Sequence, residues 1–191
     1  MKVVITGKSR LSSKNMEAAL GKLSGDIKNI RFVNDLELLA VAAVGSVLDD
    51  AGIRYPVGNA SIGVYPGIDD SVEDIKDGYF NNVLKEGLLG ASPLLFPFTS
   101  PNALAAFVSI AFDIRGESIT FPIKHSFRDV IKYGTDCILE NHTIMAIAGG
   151  IIIKDKKLAV KDGRYTAEFF LLEEMQRAVK RGARIYKRKC R

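Results

Sequence analysis

Cysteine and histidine are scarce in this chain of 191 residues, which has two of each: Cys137, Cys190, His125 and His142. Two cysteines are too few for a disulfide framework, and their spacing is not that of a metal site. With only two histidines beside them, a zinc centre is not expected. Long uninterrupted apolar runs are missing too, so nothing predicts a bilayer span. The opening "MKVVITGKSR" has neither the apolar core nor the small-residue cleavage site of a secretory signal. These absences lead to the expectation of a soluble cytoplasmic protein with no metal and no cofactor. The formal net charge is +5, and much of the excess lies in the tail "RAVKRGARIYKRKCR". Such a tail suits nucleic acid or an acidic protein partner, or is a solvated helix followed by a frayed end. No aromatic residues alternate with the basic ones as on an RNA-binding sheet, which argues against nucleic acid.

What is present predicts a single domain over residues 1–191, long enough for its own core. "KVVIT" is an apolar, β-branched run suited to a first strand. In "VNDLELLAVAAVGSVLDDAG", Leu36, Leu39, Ala40, Ala43, Val44, Val47 and Leu48 recur at helical spacing. Asn34 can cap this helix with Glu37 at the capping-box position, and Gly52 can close it. "ASIGVY" predicts a second strand ending near Pro66, and "DDSVEDIKDGYFNNVLKEG" a helix with an acidic first turn. "GLLGASPLLFPFTSP" is irregular and apolar, and a loop of that composition is expected under a contact. "PNALAAFVSIAFDI" predicts a helix with Pro101 near its start, and "ESITF" a strand. "SFRDVIKYGTDCILEN" follows as a helix with Phe127, Val130, Ile131, Gly134, Cys137 and Ile138 on one face. Ser126 can cap it, with Asp129 three residues on. "TIMAIAGG" has the uniform apolarity of a strand buried on both faces. "GIIIKDKKLAVKDGRYT" predicts a strand and turn, "AEFFLLE" a long strand, "EMQRAVKRGA" a helix, and "RIYKRKC" the start of another strand. Strands alternate with helices, so the predicted class is α/β, with a mostly parallel central sheet covered by helices on both faces.

Four stretches, in order, resemble the N-terminal half of β-ketoacyl synthases, proteins of the thiolase fold. "LELLAVAAVGSVLDDAGI" is similar to the family's early helix. "ASPLLFPFTSPNALAAFVSIAFDIRGESITF" resembles the segment leading to its nucleophile, where the family usually has "RGPS". "IMAIAGG" is similar to the strand after the nucleophile helix. "AEFFLLEEMQRAVKRGARIYK" resembles the end of the first half, often "LEELEHAKARGARIY". The likeness covers most of residues 33–187 and implies a thiolase-like fold, N-terminal half only.

Two departures bear on function. The family's catalytic cysteine falls at the corner between "SITF" and the next helix. Counting forward from Ser118 places that position at His125, and counting back from Gly149 places it at Lys124; neither is cysteine. The family's two catalytic histidines belong to its C-terminal half, which does not match any part of these 191 residues. Chain elongation needs a thiolate that accepts an acyl group and releases it again. A lysine amine would be trapped as a stable amide. A histidine accepts an acyl group only transiently. Cys137 lies on the apolar stripe of its helix and reads as a small buried hydrophobe. Cys190, in the tail, reads as a free exposed thiol.

The corner still ends at a helix N-terminus, where backbone N–H groups favour anions. Lys124, His125 and Ser126 are therefore the candidate acyl- or anion-binding residues, for a malonyl carboxylate or a phosphopantetheine arm. The alternative is that they face solvent or a partner subunit. His142 at a helix end suits a structural role. "GIDDSVEDIKD" reads as a solvated helix start rather than a metal site. Gly149-Gly150 reads as a close backbone approach. "TGKS" at Thr6–Ser9 lacks the earlier glycine and the following helix of a phosphate loop.

Three functions compete. The first is a non-catalytic ketosynthase-like protein of fatty-acid or polyketide-type biosynthesis, pairing with an active synthase or binding an acyl carrier protein. The second is an acyl-transfer or decarboxylating enzyme using the Lys124/His125 corner. The third is a structural assembly subunit without an acyl ligand. In each case a homo-oligomer, or a heteromer with a complete ketosynthase, is expected. In the resembling family the central helices pack against a second half and subunits join through the strand equivalent to "SITF". Apolar helices and the "LLGASPLLFPF" loop would otherwise be bare.

Overall fold

A computed structural model describes residues 2–28, 33–124 and 126–186. Its strands are β1 (Val3–Ser12), β2 (Ile62–Ile68), β3 (Phe121–Pro122), β4 (Met145–Ile153) and β5 (Tyr165–Glu174). Its helices are α1 (Met16–Leu20), α2 (Asp35–Asp50), α3 (Glu73–Glu86), α4 (Ala103–Phe112), α5 (Arg128–Leu139) and α6 (Met175–Lys180). The strands form one sheet in the order β1-β5-β4-β2-β3. β2 pairs in parallel with both β3 and β4, whereas β5 is antiparallel to β4 and to β1. Four of the five strands therefore point one way and β5 alone is reversed.

Period-two alternation divides the strands between two cores. Ile62, Val64, Ile147, Ile151, Phe169 and Leu171 meet α2 and α4 on one face. Tyr65, Ala146, Ala148 and Leu172 meet Val130, Cys137 and Ile138 of α5 on the other. Small residues on that face let α5 approach closely: a Cβ on Gly134 would lie 3.2 Å from that of Ala146. The anticipated face of α5 is the buried one, and its opposite face carries exposed Arg128, Asp129 and Lys132.

Local signals differ from expectation in three places. Asn34 caps α2 by accepting from Asp35 N–H at 2.6 Å, but the Glu37 carboxyl turns into the interior. It is 2% exposed, and its Oε2 has no partner. β2 does not end at Pro66 but runs through it to Ile68. The expected "ESITF" strand shrinks to an isolated bridge at Ser118 and the two residues of β3. Pro66 is the cause. Along this edge Val64 N–H donates to Glu117 O at 2.8 Å, Ile119 N–H to Val64 O at 3.1 Å, and Ile123 N–H to Ile68 O at 3.0 Å. The next donor of that parallel pattern would be Pro66, which has no N–H.

At the C-terminal end, Tyr186 bridges to Ile5 and its hydroxyl donates to Asp50 Oδ1 at 2.7 Å. This supports the start of the strand expected from "RIYKRKC". The rest of that segment, with Cys190, lies outside the described residues.

Candidate functional site

The corner lies at the C-terminal edge of the parallel strands, where open α/β sheets place their ligand crevices. Ile123 anchors it through the bond to Ile68 O. A Cβ added at Gly67 would stand 2.8 Å from Ile123 Cγ2 and 3.0 Å from Val130 Cγ2, so the corner rests directly on the β2 backbone. Lys124 follows and is exposed. Ser126 Oγ accepts from Arg128 N–H at 3.2 Å, but the N-cap of α5 is the next residue, Phe127, whose side chain makes no cap bond, so the expected Ser126 cap is displaced by one residue. His125 lies outside the described residues. Lys124 and Ser126 thus share one short turn at the start of α5.

Under this turn the paired glycines define the backbone crossing. Gly150 stands opposite Gly67 in the β2–β4 ladder. A Cβ on Gly150 would come within 1.8 Å of Gly67 O, and one on Gly149, at φ 156°, within 2.1 Å of Glu168 O. No other residue type fits either position without moving backbone.

Cys137 is not near the corner. By helix rise it lies roughly 13 Å along α5 from Arg128. It is 3% exposed and belongs to a polar cluster that sequence reading missed. Tyr65 donates to Glu117 Oε2 at 2.7 Å, and the Cys137 sulfur lies 3.9 Å from the same oxygen. The Tyr133 ring meets Tyr65 edge-on at 5.2 Å. Burial pushes the Cys137 thiol up; hydrogen bonds from Tyr65 and Tyr133 pull it down, and the Glu117 charge pushes it up again. A thiol held protonated in this way is a poor nucleophile. The cluster joins residues 52 and 20 positions apart, so no local motif marks it.

His142 sits at the far end of α5, exposed, with Nδ1 3.9 Å from Glu140 Oε2. Its backbone N–H closes the helix on Cys137 O at 2.9 Å, beyond Asn141 at φ 62°. That is the structural role expected of it. The acidic stretch has partners of its own, which solvation alone did not suggest. Asp69 accepts from Ile153 N–H at 2.7 Å, Asp74 pairs with Arg164, and Glu73 pairs with Lys76 at 2.7 Å. Thr6–Ser9 is extended within β1 and is no phosphate loop.

Three residues of the basic tail have partners within the chain. Arg177 lies 3.5 Å from Glu174, Arg181 grips fully buried Glu173, and Arg184 stacks 4.7 Å over Tyr186. Two of the tail's eight basic residues, Arg177 and Arg181, are thus paired with carboxylates of the same chain.

A strand, a corner and a helix laid over a glycine crossing, in a mixed sheet in which β5 alone runs against the other four strands, fit a thiolase-like fold. No family model and no curated protein matches the chain in sequence. Solved structures match it in fold, ketosynthases among them. One is the ishigamide ketosynthase/chain length factor, at TM-score 0.72 and 19% identity over 96% of this chain and 60% of that one. A second is a type II polyketide synthase acyl-carrier protein in complex with its ketosynthase bound to the hexaketide, at TM-score 0.69 and 19% identity over 96% and 65%. A third is a β-ketoacyl synthase from Burkholderia phymatum STM815, at TM-score 0.69 and 20% identity over 96% and 62%. The chain is therefore ketosynthase-like in fold. It spans about 60–65% of the length of these structures.

Proposed function

We propose that the chain is a non-catalytic ketosynthase-like protein that serves fatty-acid or polyketide-type biosynthesis beside an active synthase or an acyl carrier protein. The observation that carries this reading is the corner itself. The position that would present a nucleophile before α5 falls on Lys124 or His125, neither of them a cysteine, and the one thiol of the helix is buried about 13 Å along it. Condensation needs a transferable thioester, a group that promotes decarboxylation and donors for the developing oxyanion. Without the first of these the corner can hold an anion but cannot carry an acyl chain forward. Pairing supplies the missing chemistry from the partner, and a ketosynthase/chain length factor pair and a ketosynthase–carrier complex are among the structures of this fold.

The test has two arms. The full chain is incubated with acyl primer and malonyl-carrier protein, and products are followed by intact mass. No extension and no acyl adduct are expected. In parallel, carrier protein and a complete ketosynthase are each used to capture the chain, and retention by at least one is expected. Extension by the chain alone overturns the reading. Decarboxylation of the malonyl thioester that is lost in His125→Ala replaces it with the repurposed-enzyme reading, and capture by neither partner favours a structural assembly subunit.

A further inference from the structure

The start of α2 carries a motif whose two bonds are both unmade. Asn34 is the N-cap and Glu37 stands three residues on, the spacing of a capping box. In a closed box the N-cap side chain accepts from the N–H of the third helical residue, whose carboxylate in turn accepts from the N-cap N–H. Here Asn34 Oδ1 instead accepts from Asp35 N–H at 2.6 Å. The Glu37 carboxyl points into the interior, 2% exposed, with Oε2 unpartnered. The bond it does receive comes from its own backbone N–H.

The surroundings do not compensate a charge at this position. Among the described residues no cation pairs with Glu37, and the charge that acts on it, Asp35, has the same sign. α1, α4, β1, β4 and β5 pack against α2. α4 and β4 contain no titratable side chain. Glu17 of α1 and Lys8 and Arg10 of β1 are exposed. From β5, Tyr165 shares the core with α2, and Arg164 just before it is engaged with Asp74. Glu168 alternates to the other face of the sheet. Glu174 pairs with Arg177, and Glu173 is held by Arg181 beside Ala51, at the far end of α2.

We propose that Glu37 is a proton-operated latch on the first turn of α2. Protonated, it stays in the interior as the structure shows it. On losing its proton the carboxylate swings outward and accepts from Asn34 N–H. The swing releases Glu37 N–H to Asn34 Oδ1, and the box closes. Two opposing preferences make the element bistable. Burial among apolar side chains favours the neutral acid. The helix N-terminus, with its unpaired N–H groups, favours the anion. Burial places the carboxyl at about 7, so the change of state falls near neutral pH. Its effect reaches the surface. Val33 and Asn34 line a groove of about 670 Å³ beside α3, together with Tyr79, Leu95 and Phe98. Turning the Asn34 carboxamide from Asp35 N–H to Glu37 N–H reshapes that wall, which makes the form of the groove depend on pH. The latch goes beyond the functional reading above and does not depend on it.

Nuclear magnetic resonance of the isotope-labelled full chain, from mildly acidic to mildly alkaline pH, tests the proposal. The carboxyl-carbon resonance of Glu37 is expected to titrate near 7, and the amide resonances of Asn34 and Glu37 to move with the same midpoint. Above it, the protection of Asn34 N–H from exchange, corrected for base catalysis, should rise at least ~10-fold. Glu37→Gln cannot ionise. It should keep the circular dichroism of the wild type and hold both amides at their low-pH positions throughout. The wild-type carboxyl resonance reads the same event without a substitution, so the test does not depend on the folding of that variant. A Glu37 that titrates with no gain in Asn34 protection overturns the proposal, because the charge then stays inside. Amides of Asn34 and Glu37 that are indifferent to pH also overturn it, as does an amide titration that persists in Glu37→Gln.

Discussion

Single residues carry two of the chain's least obvious properties. Burial pushes the Glu37 carboxyl up to about 7 from the ordinary 4.5; its own backbone N–H lowers it and the Asp35 charge raises it. Between about pH 4.5 and 7 the folded chain holds a proton that the unfolded chain has released, so stability falls as pH rises through that window. Below the window both states are protonated and the full stability is present. Above it an uncompensated carboxylate costs on the order of 3 kcal/mol. Glu37→Gln is therefore expected to stabilise the fold by about 1–3 kcal/mol near pH 8 and to change little near pH 4.5, as read by urea unfolding at the two pH values. Cys137 is the second case. Its burial and the adjacent Glu117 hold the thiol protonated. Iodoacetamide should leave it unmodified in the native chain and label it only after unfolding. Peptide mass mapping reads the outcome, and rapid native labelling would mean that the Tyr65–Glu117–Cys137 cluster is open.

At the scale of elements, two backbone features shape the edge that carries the corner. Pro66 interrupts the hydrogen bonding between β2 and the segment before the corner, leaving β3 only two residues long. Pro66→Ala restores a donor, and its new amide is expected to be protected from hydrogen exchange by Ile119 O, lengthening β3. An unprotected amide would mean that something other than the proline breaks the ladder. Gly150→Ala, in contrast, forces Cβ into Gly67 O and should cost ~3–5 kcal/mol or abolish folding. A variant that melts with the wild type would show that the β2–β4 crossing relaxes freely. The Arg181–Glu173 pair ties α6 back to β5, with Arg181 also donating to Ala51 O at 2.7 Å. Arg181→Ala strands a buried carboxylate and is expected to destabilise by ~3–5 kcal/mol, measured by denaturant midpoint.

Across the whole molecule, the distribution of exposed apolar surface separates two ideas that the resemblance joined. A chain matching only part of longer ketosynthases was expected to leave its apolar helices and the "LLGASPLLFPF" loop partly bare. α5 instead presents exposed Arg128, Asp129 and Lys132 outward. The bare surface lies on α3 and the turns after it, as the composition of "GLLGASPLLFPF" indicated.

The sequence by itself determined the alternation of strands and helices, the buried stripe of α5, the Asn34 cap and the glycine pair. These are local signals, set by side-chain period and by backbone conformations open to few residue types. It also determined that no cysteine stands at the corner. Only the tertiary structure decided where the ladder breaks at Pro66, because the missing donor matters only once Ile119 lies opposite. It turned Glu37 from a cap into a buried acid, and it gathered Tyr65 of β2, Glu117 of the segment before β3 and Cys137 of α5. Those outcomes depend on which residues distant in the chain come to share one small volume, and no periodicity along the sequence encodes that.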